Sequence, residues 1–293
     1  MAAFVEKLLD RFHERTPIRA GSLIITLFGD AVVPRGGVLS MATLLEIMRT
    51  FRINESLVRT AVSRLVSDGW FERWRLGRNS YYRLTPHGSR EFERATERIY
   101  SDVPHPWRGS FDLILLDNTD RQALRAELSA RGYGVLGPDL LVAPTAAEAE
   151  IGGPHLRLTA SARDRATARS LAARAWPLAE LEIRYSRFMA AYAPVREALR
   201  AGEPFDDLEA LIVRILLIHD YRRAVLKDPL LPAEILPERW TGRAARDLCA
   251  EIYLALAPFA ERWLDRHGLN DRGPLPPPDR AFALRFKAGP VAP

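Results

Sequence analysis

The chain holds one cysteine, Cys249, so no intrachain disulfide can form and a reducing compartment is its natural setting. Within the helical pattern RDLCAEIYLAL, Cys249 reads as a small packed side chain rather than a nucleophile. Long apolar runs are missing too. Nothing approaches the length of a membrane span, and the opening MAAFVEKLLDRFHER lacks a signal-peptide core. These absences point to a cytoplasmic protein with no membrane partner. The six histidines (13, 87, 105, 155, 219 and 267) are scattered, with no HExxH and no close pairing with cysteine, which argues against zinc. There is no GxxxxGK[ST], GxGxxG or GxSxG, so nucleotide hydrolysis and serine-hydrolase chemistry have no basis. No catalytic residue, metal ligand or cofactor is therefore assigned. Lysine is scarce, at positions 7, 227 and 287 only, so the basic character of the chain is carried by arginine.

Those arginines are unevenly placed. Between Arg49 and Arg83 stand eight of them (49, 52, 59, 64, 73, 75, 78 and 83) against three acids, Glu55, Asp68 and Glu72. This surplus equals the +5 net charge of the whole 293-residue chain. A local basic field of this kind is the footprint of a phosphate-binding surface. Its core is INESLVRTAVSRLVSDGWFERWRLGRNSYYRL, Ile53 to Leu84. Asn54 is a helix N-cap, and Leu57, Val58, Ala61, Val62, Leu65 and Val66 recur at helical spacing as one apolar stripe. Ser56, Arg59, Thr60, Ser63, Arg64 and Ser67 fall on the other face. Gly69 stops the helix, Phe71–Leu76 reads as a strand, Gly77, Arg78 and Asn79 as a turn, and Ser80–Leu84 as a returning strand. A helix followed by an arginine-rich hairpin is the layout of a winged helix-turn-helix, which puts the helix in a major groove and the hairpin beside the backbone.

The rest of the chain falls into order around this unit. The first fifteen residues predict a helical arm or a frayed end. IRAGSLIITLFGDAVV predicts an apolar helix ending near Gly29 or shortly after, and MATLLEIMRTF a second one capped by Ser40. Thr85 and Pro86 start a further helix, so residues 1–100 form the DNA-binding domain with its linker helix. Pro104 and Pro106 mark a boundary. Residues 101–177 predict a central domain: strand FDLILL, a helix over Asp120–Ala130, a strand Gly134–Ala143 with a bulge at Gly137 and Pro138, a short strand Leu156–Leu158, and the helix RATARSLAARAW. That alternation suggests a small ferredoxin-like α+β sandwich. Residues 178–270 predict an all-helical domain, with a kink or break at Pro194 and a bend at Pro258, and residues 271–293 a Pro-rich disordered tail. The fold class is thus α+β and mostly helical.

Three motifs in this order carry a specific resemblance, spanning roughly Gly21 to Arg266. They are SLIITLFGDAVVPRGG with the winged unit ESLVRTAVSRLVSDGWFERWRLGRNSYYRLTPHG, then WRGSFDLILLD, then HDYRRAVLKDPLLPAEILPERWTGRAARDLCAEIY. Together they resemble the PaaX family of bacterial repressors of phenylacetate catabolism. The resemblance implies a dimeric transcriptional repressor that binds a partly palindromic operator in double-stranded DNA. It also implies release by phenylacetyl-CoA or a related aryl-CoA, and a central domain like that of a small CRISPR-associated nuclease. None of the effector chemistry comes from composition or periodicity.

On the residues themselves, Ser56, Arg59, Thr60, Ser63 and Arg64 are expected to face DNA bases and phosphates, and Arg73, Arg75, Arg78, Asn79 and Ser80 of the wing to meet the backbone or minor groove. Trp70 is assigned to the core, while Tyr81 fits either a core or a stacking role. In the third motif His219, Tyr221, Arg222, Arg223 and Trp240 are candidates for the effector, with arginine suited to phosphate and the aromatics to an aryl pocket. The competing reading is an ion-pair network with Asp220, Asp228 or Glu238. Asp112 and Asp117 flank a strand of the nuclease-like domain and leave one alternative function, a metal-dependent nuclease or other nucleic-acid-processing enzyme.

Overall fold

The computed structural model describes residues 2–14, 20–101, 106–116, 121–144 and 155–287. In chain order the elements are α1 (Ala3–His13), α2 (Ala20–Leu27), a π turn (Phe28–Val32), β1 (Val38–Ser40), α3 (Met41–Thr50), α4 (Glu55–Ser67), β2 (Phe71–Leu76), β3 (Asn79–Leu84) and α5 (Pro86–Tyr100). There follow β4 (Ser110–Leu116), α6 (Arg121–Ala130), β5 (Gly134–Val135), β6 (Leu140–Pro144), β7 (His155–Ser161) and α7 (Arg165–Ala175). The last are α8 (Leu178–Arg200), α9 (Asp207–Val225), α10 (Gly242–His267), β8 (Leu269–Asn270), β9 (Gly273–Pro274) and α11 (Arg280–Leu284). The described chain is thus mostly helical with small sheets. It divides into two compact units, one made of 1–102, 187–226 and 244–293, the other of 103–186 and 227–243.

In the first unit the helix starts follow their caps. The Ser40 hydroxyl accepts from the Thr43 amide at 3.1 Å, the Asn54 amide oxygen from Leu57 at 2.9 Å, and the Thr85 hydroxyl from Gly88 at 3.0 Å. The sheet has three strands in the order β1-β3-β2, all antiparallel. β1 is too short for period-two patterning to reveal. The arm α1 is neither frayed nor free: Val5, Leu8, Leu9 and Phe12 are buried and the helix packs on α9. α9 runs Leu211-Ile212-Val213 and Ile215-Leu216-Leu217-Ile218 with every one of these side chains buried. A helix apolar on all sides has to be covered on all sides. α1, α2 and α5 supply that cover, so the C-terminal helices share one core with the winged segment instead of forming a separate domain.

The Pro-rich tail is a second departure from expectation. As far as Lys287 it is built into this unit. β8 pairs with β9, the Leu269 amide donates to the Thr43 hydroxyl at 3.1 Å, Asp279 donates to the Pro34 carbonyl at 2.9 Å, and Phe286 to that of Tyr100 at 3.1 Å. Arg285 and Phe286 are buried. Arg285 completes an ionic cluster around the buried Asp30. The Asp30 carboxylate accepts from Arg214 Nε at 2.7 Å, Tyr100 OH at 2.7 Å, Tyr253 OH at 3.0 Å and Arg285 Nη1 at 3.3 Å. Arg214 and the buried Arg35 both pair with Glu261 of α10. α8 and α10 continue through Pro194 and Pro258, so neither proline ends its helix.

In the second unit the sheet order is β5-β6-β4-β7, all antiparallel. Gly137 and Pro138 sit in the turn of a β5–β6 hairpin, not in a bulge of one strand. The strand order is that of a ferredoxin-like domain, but β7 precedes α7 where that fold places its last strand after its second helix. The helices also cover opposite faces. Phe111 and Val142 pack with Ala168, Ala172 and Trp176 at α7, whereas Ile114, Leu116 and Leu141 pack with Leu128 of α6. Leu231 and Ile235, from the Pro-punctuated segment 227–243, complete the α7 side.

Candidate nucleic-acid interface

α4 buries Val58, Ala61, Val62 and Leu65 and exposes Ser56, Arg59, Thr60, Ser63 and Arg64 together. Leu57 and Val66 lie at the margin of the apolar stripe, half-buried. The Thr60 hydroxyl donates to the Ser56 carbonyl at 2.9 Å, which leaves its lone pairs facing outward. Arg59 is 3.7 Å from Glu55, which also holds Arg49 at 3.0 Å. Both contacts are exposed, so water and salt weaken them. The Arg64 side chain has no intramolecular partner among the described residues.

The hairpin sorts its arginines in the same way. Arg73 donates to Ser80 Oγ at 3.0 Å, and Asn79 is exposed at the turn. The guanidiniums of Arg75 and Arg78 are exposed and, among the described residues, engage nothing. Arg83 is committed elsewhere: Glu72 holds it, raising its pKa, and it lies 5.4 Å over the Trp74 ring. Arg52 is likewise turned away. It occupies the left-handed region at φ 57° in the α3–α4 turn and is fixed by Asp10 and Glu6 of α1, its hydrogen bond to Asp10 raising its pKa most. The basic field of eight arginines therefore resolves into a smaller set available to phosphate. Tyr81 and Tyr82 are buried, which places Tyr81 in the core, and Trp74 stacks on Tyr81 at 6.0 Å.

A groove of about 440 Å³ brings Arg59 of α4 together with Arg78, Asn79 and Ser80 of the wing beside the start of α3, where Ser40, Met41, Ala42 and Leu45 line it. A further wall is the β8–β9 turn, with Asn270 and Asp271, which sequence reasoning missed because residues up to 270 read as helical and those from 271 as disordered. The signal was present as Asn270-Asp271-Arg272-Gly273, a turn in which the Asn270 side chain accepts from the Arg272 amide at 2.7 Å and Gly273 takes φ 125°. Asp271 adds a negative charge that also acts on Arg83.

The effector candidates divide between the two units. His219 and Arg222 both reach Thr26, His219 Nδ1 at 3.1 Å and Arg222 Nη1 at 3.1 Å from its hydroxyl. Tyr221 is buried beside Phe188 at 5.5 Å, and Arg223 is exposed. Trp240 belongs to the other unit, where it meets Tyr185. Arg222 pairs with none of Asp220, Asp228 and Glu238 and has no carboxylate partner among the described residues; burial lowers its pKa. Asp112, buried in the β sheet, is paired with Arg157 of β7 and lies 3.5 Å from the Thr159 hydroxyl, so its carboxylate is occupied. Asp117 lies outside the described residues. Cys249 is fully buried and burial pushes its thiol well above the usual range, in keeping with a packing role. Among the described residues no three His, Cys, Asp or Glu side chains gather as a metal site, and no helix is long and apolar enough to cross a membrane.

Comparison with known proteins bears on this surface. A PaaX-like protein family model matches residues 19–88, and a PaaX-like protein C-terminal domain model matches residues 176–266. Over 286 residues the chain is 34% identical to the transcriptional repressor PaaX of Escherichia coli (strain K12), covering 92% of this chain and 90% of that protein. In fold it is similar to an uncharacterized protein from Mycobacterium tuberculosis, with a TM-score of 0.50 and 23% identity over 74% of this chain and 88% of that one.

Proposed function

The chain belongs to the PaaX family, and from that premise we propose that it is a cytoplasmic, dimeric repressor of aromatic (phenylacetate) catabolism genes and not an enzyme. α4 reads operator DNA in the major groove while β2–β3 lies along the backbone. The observation that carries this reading is the unpaired exposed set Arg64, Arg75 and Arg78, beside the weakly held Arg59, on one helix and the hairpin that follows it. Guanidiniums left without internal partners are available to guanine edges and phosphates. In a dimer, two such helices lie about one DNA turn apart, in successive major grooves. The effector is phenylacetyl-CoA or another aryl-CoA. It binds better to a state in which the two winged segments are wrongly spaced, so operator affinity falls.

Selection of bound duplexes from a random library, followed by mobility shifts on the selected site, tests the reading. The expected product is a partly palindromic site. Arg59→Ala with Arg64→Ala is expected to abolish specific binding while the circular dichroism spectrum stays native. Undiminished affinity of that double variant would refute the assignment of α4. Incubation with labelled DNA or RNA and divalent metal should leave the nucleic acid intact.

A further inference from the structure

In the first unit, α2, the π turn, α5 and α9 fail to close completely and leave a cavity of about 260 Å³. Its walls are largely apolar, with Ile25, Phe92, Ile99, Ile218 and Leu226 among them. A cavity of about 150 Å³ lined by such side chains already accepts benzene, so this one has room for an aryl-acyl group but not for a nucleotide carrier as well. One charge lacks a counter-ion. Arg222 lines the cavity, is held by the Thr26 hydroxyl at 3.1 Å, and faces no carboxylate partner among the described residues. The two acids of the wall are engaged elsewhere, Asp30 by Arg214 and Arg285 and Glu91 by Arg94 at 2.8 Å. Leaving a guanidinium unpaired beside apolar walls is costly unless something anionic or strongly polar arrives to meet it.

We propose that this cavity is the effector site: it takes the apolar aryl-acyl end of an anionic thioester, Arg222 receives the thioester carbonyl or the nearest anionic group, and the phosphate-bearing carrier stays outside. The assignment rests on the effector-released repressor reading above. The exit is basic. Arg90, Arg94 and Arg98 recur every fourth residue on α5, and Arg94 and Arg98 stand at the cavity wall. The π turn at Phe28–Val32, a widened turn frequent at functional sites, forms part of the wall through Gly29 and Asp30.

The position also supplies a route to the DNA surface. Trp70 lines the cavity and joins the end of α4 to β2. Its carbonyl accepts the Thr85 amide at 3.0 Å, and its ring lies 6.2 Å from that of Phe92. A ligand that presses on Trp70 and Phe92 moves the root of the wing relative to α9.

The test uses the full-length protein, isothermal titration with phenylacetyl-CoA, free phenylacetate and free CoA, and a mobility shift on the selected operator. Ala95→Phe narrows the cavity and Arg222→Met removes its charge, and neither residue belongs to the DNA surface. Both variants are expected to bind operator within about twofold of wild type, which also shows that they fold, and to lose at least about tenfold in phenylacetyl-CoA affinity. Arg222→Lys should recover part of that loss. If wild type is released by phenylacetyl-CoA and both variants bind it as tightly as wild type, the cavity assignment is wrong and the effector reading stands. If the variants lose binding but the ligand never releases wild type from operator, the site stands and the effector reading falls. If wild type does not bind phenylacetyl-CoA, both are overturned.

Discussion

Replacing Arg285 by methionine probes a residue that composition assigned to a loose tail. Its guanidinium donates to the Asp30 carbonyl at 2.7 Å, the Gly29 carbonyl at 2.9 Å and the Tyr253 hydroxyl at 3.0 Å, and lies 4.1 Å over the Tyr100 ring. Removing one partner of a buried ion pair costs about 3–5 kcal/mol, because the charge left behind stays desolvated. Asp30 retains Arg214 and two tyrosine hydroxyls in the variant, so the lower figure, about 3 kcal/mol, applies. In a domain of 150–250 residues each kcal/mol moves Tm by about 2–4 °C, so thermal unfolding followed by circular dichroism should fall by about 6–12 °C. Asp30→Asn should fall further, toward about 5 kcal/mol, since two buried guanidiniums then face a neutral amide. Deleting residues 279–293 should lower Tm by at least as much as Arg285→Met. A Tm for Arg285→Met within about 2 °C of wild type would show that the cluster contributes little and that the tail is dispensable for the fold.

Two further substitutions test the interface and its support. Asp271→Asn removes the acidic side chain of the groove between α4 and the wing, and operator affinity should rise about twofold to fivefold at low salt, with the gain shrinking as salt is added; unchanged or weaker binding would place DNA away from the β8–β9 turn. Gly88→Ala brings a Cβ to 2.5 Å from the Trp70 carbonyl oxygen, a backbone atom that cannot swing aside. The expected loss is about 1–3 kcal/mol in urea titration, and a variant as stable as wild type would mean that α5 is free to slide on the wing's root.

What was legible in the sequence was local. Ser40, Asn54 and Thr85 cap the helices they were expected to cap, because an N-cap needs only its own side chain and an amide three residues on. The apolar stripe of α4 was nearly right for the same reason: periodicity fixes which side is buried, and only the marginal Leu57 and Val66 depend on neighbours. What escaped depended on distant partners. Arg285 and Asp30 are 255 positions apart, and nothing in a Pro-rich segment announces that its arginine ends beside a buried carboxylate. Among the effector candidates, Tyr221 and Arg222 are consecutive on a helix and so point to different neighbours, Phe188 and Thr26, which periodicity alone does not name. Of the residues that give the cavity its walls, Thr26 lies in a helix that the sequence presented as core, and Phe92 and Ile99 in one that it presented as a linker.

The cavity and the ionic cluster share Asp30, and this bears on where the first unit can give way. Around its carboxylate the packing is saturated: two guanidiniums and two tyrosine hydroxyls, burial raising the Tyr100 and Tyr253 pKa values so that both hydroxyls stay protonated and donating. That cluster ties the π turn to α9, α10 and the tail, and it cannot yield by degrees without exposing a buried charge. The other side of the same turn borders unfilled space next to Trp70 and Phe92. Displacement of the Trp70 and Phe92 rings into that space breaks no ion pair, so the wing's root can move while the Asp30 cluster holds. A ligand confined to that side, if it binds one arrangement of the wing better than the other, must by linkage be bound less tightly when operator holds the other arrangement. The coupling then needs no movement of the Asp30 cluster at all: it acts through the few side chains between an incompletely filled cavity and the hairpin that carries Arg75 and Arg78.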